Sequence, residues 1–150
     1  MKNDGRMTRS GRERGRRGQA LAEMGVVITI LVFLVMGIIE FGRVMMIANM
    51  ITQAARDGAR IAAVVHRSER IPGECGISDI SAIQTHVRNQ IAQVTDASGF
   101  TINVDPVNVG GIPLQEVTIT GTVNYIFQII PGVTSLDVVR TAAFRDEDCA

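Results

Sequence analysis

Residues 24–39 form a run of sixteen uncharged, mostly apolar residues between two carboxylates, Glu23 and Glu40, and this run constrains the chain more than any other feature. A helix apolar on every face is either sunk in a large core or lies in a membrane. With 150 residues in all, the chain has room for one modest domain beside a membrane segment. As a helix, sixteen residues rise about 24 Å, against a hydrocarbon core of about 30 Å. Adding residues 19–22 before the run and 41–42 after it lengthens the helix to about 36 Å, which suffices. That span leaves Glu23 near one end of the membrane part, where a lone carboxylate is unfavourable by roughly a few kcal/mol.

The formal net charge of zero hides an asymmetry. Residues 1–18 carry seven basic and two acidic side chains, and the remaining residues carry eight and thirteen. A basic flank beside an apolar segment stays in the cytoplasm while the other end crosses, so the N-terminus is expected inside and the rest outside. The rival is nucleic-acid binding by the arginine block. It needs aromatic stacking groups or a basic face on the folded part, and the sequence offers neither, so membrane lipid is the expected partner and nucleic acid is not. With four glycines and no apolar period, residues 1–18 read as a disordered cytoplasmic leader.

A cleaved secretory signal is a second rival. It requires small residues at a cut site beyond the apolar run, where this chain has Glu40, Phe41 and Arg43. Helical period also continues past the run. Val44, Ile47, Ile51, Ala54, Gly58, Ile61 and Val65 alternate steps of three and four, with Asn49, Gln53, Arg56 and Arg60 off that stripe. No proline occurs before Pro72. The spacing predicts one helix from about Gln19 to His66, apolar nearly all round in its first half and amphipathic in its second. Ala54, Ala55, Gly58 and Ala59 let another element approach the helix backbone closely, whether a neighbouring helix or a sheet of the same chain.

Residues 67–77 read as loop. Ser78 or Asp79 can cap a second helix whose apolar face is Ile80, Ile83, Val87, Ile91 and Val94. Period-two alternation then predicts a strand over 100–105, limited by Pro106 to a strand end or sheet edge. Gly110-Gly111 reads as a turn. A long strand is predicted over 117–129, with Val117, Ile119, Val123, Tyr125, Phe127 and Ile129 on one face. Residues 135–144 return as a last strand. The fold class is therefore α+β, a long N-terminal helix packed on a small antiparallel sheet of about three strands with one short extra helix. In chain order, a leader (1–18) precedes a transmembrane half-helix (19–42), an amphipathic half (43–66) and an exterior domain (67–150).

Cys75 and Cys149 both follow the apolar run. On an oxidising side they can bridge, which would stabilise by roughly 4 kcal/mol through loop closure and pin the C-terminus; the alternative is two unrelated thiols. His66 and His86 stand far from both cysteines, so no metal-ligand spacing arises. No nucleophile–base pair, carboxylate dyad, phosphate loop or zinc motif occurs. No catalytic residues and no cofactor are expected.

The junction Gly18-Gln19-Ala20-Leu21-Ala22-Glu23 resembles the type IV pilin signature, within its Flp/Tad branch. RGQALAE, the apolar run, GIIEFGR and QAARDGAR together are similar to the TadE-like family of tight-adherence pilus assembly proteins. Gly37, Glu40, Phe41, Gly42, Arg43, Ala54, Ala55, Arg56, Gly58, Ala59 and Arg60 carry the likeness, and VTITGTVNY, IIPG and VVRTAAFR extend it to the last strands. Met24 stands where Flp-type pilins usually carry an aromatic residue. The resemblance implies a pilin-like fold and cleavage by a prepilin peptidase between Gly18 and Gln19. It implies that Glu23 pairs with the new N-terminus of a neighbouring subunit and so sets assembly register. The implied partners are other pilin or pseudopilin subunits, a Tad assembly platform and the peptidase. The implied location is the bacterial cytoplasmic membrane, with passage into an extracellular pilus. A permanently anchored protein with a ligand-binding exterior domain is the alternative.

Overall fold

The computed structural model describes residues 10–65, 71, 75–127 and 132–146. Helix α1 (Ser10–Ala63) runs 54 residues without a break, about 81 Å at the rise of an α-helix. It starts ahead of Gln19, so the helix also takes in residues 10–18 of the stretch read as leader. Four of those residues are arginines, good helix formers, and extending a helix already nucleated downstream gains a hydrogen bond per residue. The helix ends at Ala63 rather than His66, tightening through bonds from the Val64 and Val65 N–H groups to the carbonyls of Ile61 and Ala62. His66 lies outside the described residues.

The chain divides into two compact units, Met1–Ile39 and Glu40–Ala150. The first contains only helix among its described residues. In the second, the rest of α1 is followed by α2 (Ser81–Ile91), a 3₁₀ turn (Ala97–Gly99) and strands β1 (Phe100–Val109), β2 (Ile112–Asn124) and β3 (Ser135–Arg145). The strands form one antiparallel sheet in the order β1-β2-β3. The α+β class and the long helix with a three-stranded sheet are as expected.

Three elements after α1 depart in their bounds from the sequence reading. Helix α2 is shorter at both ends: Asp79 Oδ1 accepts from the Ser81 N–H at 2.8 Å, and beyond Ile91 the helix loosens into turns at Gln93 and Val94. Strand β1 continues past Pro106, which an edge strand tolerates because the missing N–H lies on its unpaired side. Strand β2 is displaced, running from Ile112 to Asn124 instead of 117–129. Its start follows directly from Gly110 and Gly111, whose φ angles of 62° and 86° make the tight hairpin turn. Its end comes early because the Asn124 carbonyl and the Ile126 N–H bond to α1 side chains. Tyr125 and Phe127 therefore leave the strand, and Ile129 lies outside the described residues.

The core forms between the second half of α1, α2 and one sheet face. Ile47, Ile51, Ala54, Ala55, Ala59 and Ala62 of α1 are buried with Ile83, Val87 and Ile91 of α2 and Phe100, Ile102, Val117, Ile119, Val123 and Val138 of the strands. Gly58 sets the closeness of approach. A Cβ there would lie 2.7 Å from Val87 Cγ2 and 3.5 Å from Val117 Cγ1. Gly121 interrupts the apolar alternation of β2 for a matching reason: its cross-strand partner Phe100 lays its ring where a Cβ would stand.

Candidate functional site

The residues that the sequence singles out fall into three groups along α1. The first is Gly18, Gln19 and Glu23, all exposed. One helical turn separates the last two, and Gln19 Nε2 donates to Glu23 Oε1 at 3.0 Å. From there to Ile39 every Leu, Ile, Val and Phe side chain is exposed, from Leu21 through Val26, Ile30, Phe33 and Ile38, and Met36 is half-buried. This stretch is long and apolar enough to cross a membrane. Thr29 hides its hydroxyl by donating to the Gly25 carbonyl at 2.8 Å, which satisfies a polar group without a partner from outside.

The second group, Glu40, Phe41, Gly42 and Arg43, splits in two. Glu40 is 5% exposed and Phe41 is 68% exposed. Arg43 donates through Nε to Glu40 Oε1 at 3.1 Å and through Nη2 to the same oxygen. That Nη2 also donates to the Asn124 carbonyl, and the Ile126 N–H donates to Glu40 Oε1 at 3.3 Å. The pair thus straps the end of β2 and the residues after it to α1. A charge-assisted network of this kind orders both long side chains and the backbone they hold. Glu40 Oε2 is buried with no hydrogen-bond partner. Phe41 and Gly42 face away from the strap, and a Cβ at Gly42 would meet nothing.

The third group, Ala54, Ala55, Gly58 and Ala59, is buried in the chain's own core. Of the two packing roles open to these small residues, the sheet and α2 of the same chain occupy them.

Two side chains that the sequence reading passed over complete the second unit. Gln115 is buried and donates through Nε2 to the Cys75 carbonyl at 2.7 Å and to Asp146 Oδ2 at 2.8 Å. Asp146 is buried too, and its N–H reaches the Pro113 carbonyl at 2.9 Å. The signal for Gln115 was its phase, since it shares the parity of Val117 and Ile119 on the inward face. Asp146 carried no such signal, because it sits in a run of acids that reads as a solvated tail. The expected Cys75–Cys149 bridge involves Cys149, which lies outside the described residues. No free thiol occurs among the described residues.

Away from α1's first half, a shallow groove of about 300 Å³ is lined by Asp57, Arg60, Ile61, Val64 and His86. Gln90 Nε2 lies 3.2 Å from Asp57 Oδ2 and 3.0 Å from His86 Nε2. That spends these polar groups on one another. Among the described residues no cluster of His, Cys, Asp and Glu could hold a metal ion.

Residues 18–60 match the model of a family described as TadE-like protein. The matched segment opens at Gly18 and closes at Arg60, and so takes in all three groups on α1 and none of the sheet. Neither the curated proteins nor the solved structures contain a match to this chain. A TadE-like segment on a membrane-capable helix suggests a Tad pilus-associated protein.

Proposed function

We propose that this chain is a minor pilin or pseudopilin of a Tad-type pilus, inserted N-terminus inside, cut after Gly18 and assembled through its N-terminal helix. The observation that carries the reading is the change of character along α1. Its first half exposes large apolar side chains at every angle, while its second half is consumed by the core of its own domain. An element built this way has its lateral contacts to make in lipid or with like helices, not with its own sheet.

In this reading Glu23 pairs with the α-amino group that cleavage creates on a neighbouring subunit. A carboxylate in a membrane is tolerable when paired, and stripping one partner is strongly unfavourable, so the pair rewards one axial register. The hydrogen bond from Gln19 to Glu23 holds that carboxylate ready in the meantime. The Cys75–Cys149 bridge belongs to the same proposal. Gln115 joins the Cys75 carbonyl to Asp146, three residues before Cys149, and a bridge there would staple the C-terminus of the exterior unit.

Mass spectrometry of the protein co-expressed with its cognate prepilin peptidase tests the processing step. A mature N-terminus at Gln19 is expected; an intact N-terminus, or cleavage near Phe41, sinks the proposal. Glu23→Ala separates it from a permanently anchored binding module. The variant should insert normally and fail to assemble, whereas an anchored module would tolerate it. Non-reducing electrophoresis with thiol labelling tests the bridge, and two freely alkylated thiols in native material would refute it.

A further inference from the structure

The exterior unit carries an apolar foot at the end where α1 enters it. Phe41 is 68% exposed, and Met45 and Met46 one turn later are also exposed. At the same level stand two residues that follow β2, Ile126, which is 65% exposed, and Val133, which is exposed as well. Two observations fix that level. The Ile126 N–H bonds to Glu40, the residue beside Phe41. The Tyr125 N–H bonds to the Thr134 carbonyl at 3.0 Å, which keeps Val133 beside Ile126. Polar side chains take over the outward face of α1 only from Asn49 onward, with Gln53, Arg56, Asp57 and Arg60 all exposed.

We propose that this foot, Phe41, Met45, Ile126 and Val133, rests in the headgroup region of the bilayer, so that the exterior unit is docked on the membrane surface and does not stand clear of it. The occupant is lipid because the foot continues directly from the apolar span of the same helix. Side chains two residues beyond Ile39 emerge within a few ångströms of where a span ends. An apolar surface of this kind at a helix exit is stabilised at the interface rather than in bulk water. Tyr125, the chain's one tyrosine, is half-buried at this level, with a ring suited to the boundary between apolar and wet surroundings. The strap from Arg43 and Glu40 to the end of β2 then does a second task, holding Tyr125 and Ile126 down at membrane depth. The inference rests on the membrane reading of α1 and is independent of cleavage at Gly18.

The chain contains no tryptophan, so a single introduced one reports without background. Ile126→Trp, Val109→Trp and Val32→Trp are each made in the full chain. Each is reconstituted into vesicles of phosphatidylethanolamine and phosphatidylglycerol containing lipid spin-labelled near the headgroup. Val109 is similarly exposed and apolar, but it sits at the far hairpin, about 40 Å along β2 at the rise of a strand. Emission from Ile126→Trp should be blue-shifted and quenched several-fold more than that from Val109→Trp. Equal weak quenching of those two, with Val32→Trp strongly quenched, overturns the docking and leaves the membrane reading standing. Shielding of Ile126→Trp from aqueous iodide without quenching by the labelled lipid also overturns it, by placing protein over the foot. An unquenched Val32→Trp removes the membrane reading and the docking with it.

Discussion

The two halves of α1 share one unbroken helix, yet they treat apolar surface in opposite ways. Residues 21–39 carry Leu, Ile, Val and Phe turned outward on every side, and residues 47–62 bury Ile47, Ile51, Ala54, Ala55, Ala59 and Ala62. Side-chain size explains the difference. Alanine and glycine let α2 and β2 come close to the second half, as the 2.7 Å approach of Val87 to a Cβ at Gly58 measures. The first half is mostly Leu, Ile, Val and Phe, with Ala22, Gly25 and Gly37 spread among them, and offers no continuous seat of that kind. Hydrophobicity alone thus tells where a helix avoids water, and side-chain volume tells what it can pack against.

Four experiments would break or sharpen this contrast. The largest effect is expected from Ile51→Ala, which empties a fully buried site and should destabilise the unit that begins at Glu40 by about 2–5 kcal/mol. Ile30→Ala in the first half should leave the same denaturation midpoint unmoved. Equal losses at both positions would mean that the halves are not energetically distinct. Next comes Glu40→Ala, which removes the acceptor shared by Arg43 and the Ile126 N–H and leaves Arg43 only the Asn124 carbonyl. A loss of about 1–3 kcal/mol is expected, with faster amide exchange at Ile126, and unchanged exchange there would show that the strap does not hold the connection.

The third experiment makes one substitution at two glycines of the same helix. Gly58→Ala should lower the melting temperature by several degrees. The added methyl must displace Val87, a stiff β-branched neighbour, at a cost of about 1–3 kcal/mol that outweighs the gain of up to about 1 kcal/mol in helix propensity. Gly25→Ala meets nothing and should leave the melt unchanged. A Gly58→Ala protein as stable as the parent would mean that the close approach is not what orders the core.

The smallest effect is electrostatic. The Ser81 backbone N–H holds the Asp79 carboxyl below its ordinary value, and the Ser98 backbone N–H does the same to Asp96. A carboxyl whose folded pKa is depressed favours folding fully above its unfolded value, near 4. It loses that contribution as pH falls through the lower folded value. Both groups are exposed, so only a shallow decline in stability below about pH 4 is expected. It should be absent in the Asp79→Asn, Asp96→Asn double variant, and an unchanged decline there would assign it to other carboxyls.

Much of the fold could be read from residue order. Period and residue type identified the long helix, a second helix on Ile83, Val87 and Ile91, and strands on alternating Val117, Ile119 and Val123. Where the reading went astray, the deciding interaction came from far along the chain. The alternation through Tyr125 and Phe127 reads as strand, but Arg43 and Glu40 claim the Asn124 carbonyl and the Ile126 N–H across more than eighty positions. Likewise Asp146 looks like part of a solvated acidic tail until Gln115, buried opposite it, gives it a donor. At the site, the motif Glu40-Phe41-Gly42-Arg43 was legible as a marker, and its division into a buried pair and an exposed pair was not.

By itself, the sequence determined the apolar span, its flanking charges, the helical and strand periods and the small-residue stripe, because each depends on neighbours within a turn or a pleat. The tertiary structure alone decided which partner fills the small-residue stripe, where β2 stops and which way Glu40 turns. Those outcomes depend on which long-range donors and side chains arrive first at a given backbone group or cavity, and local sequence holds no record of that competition.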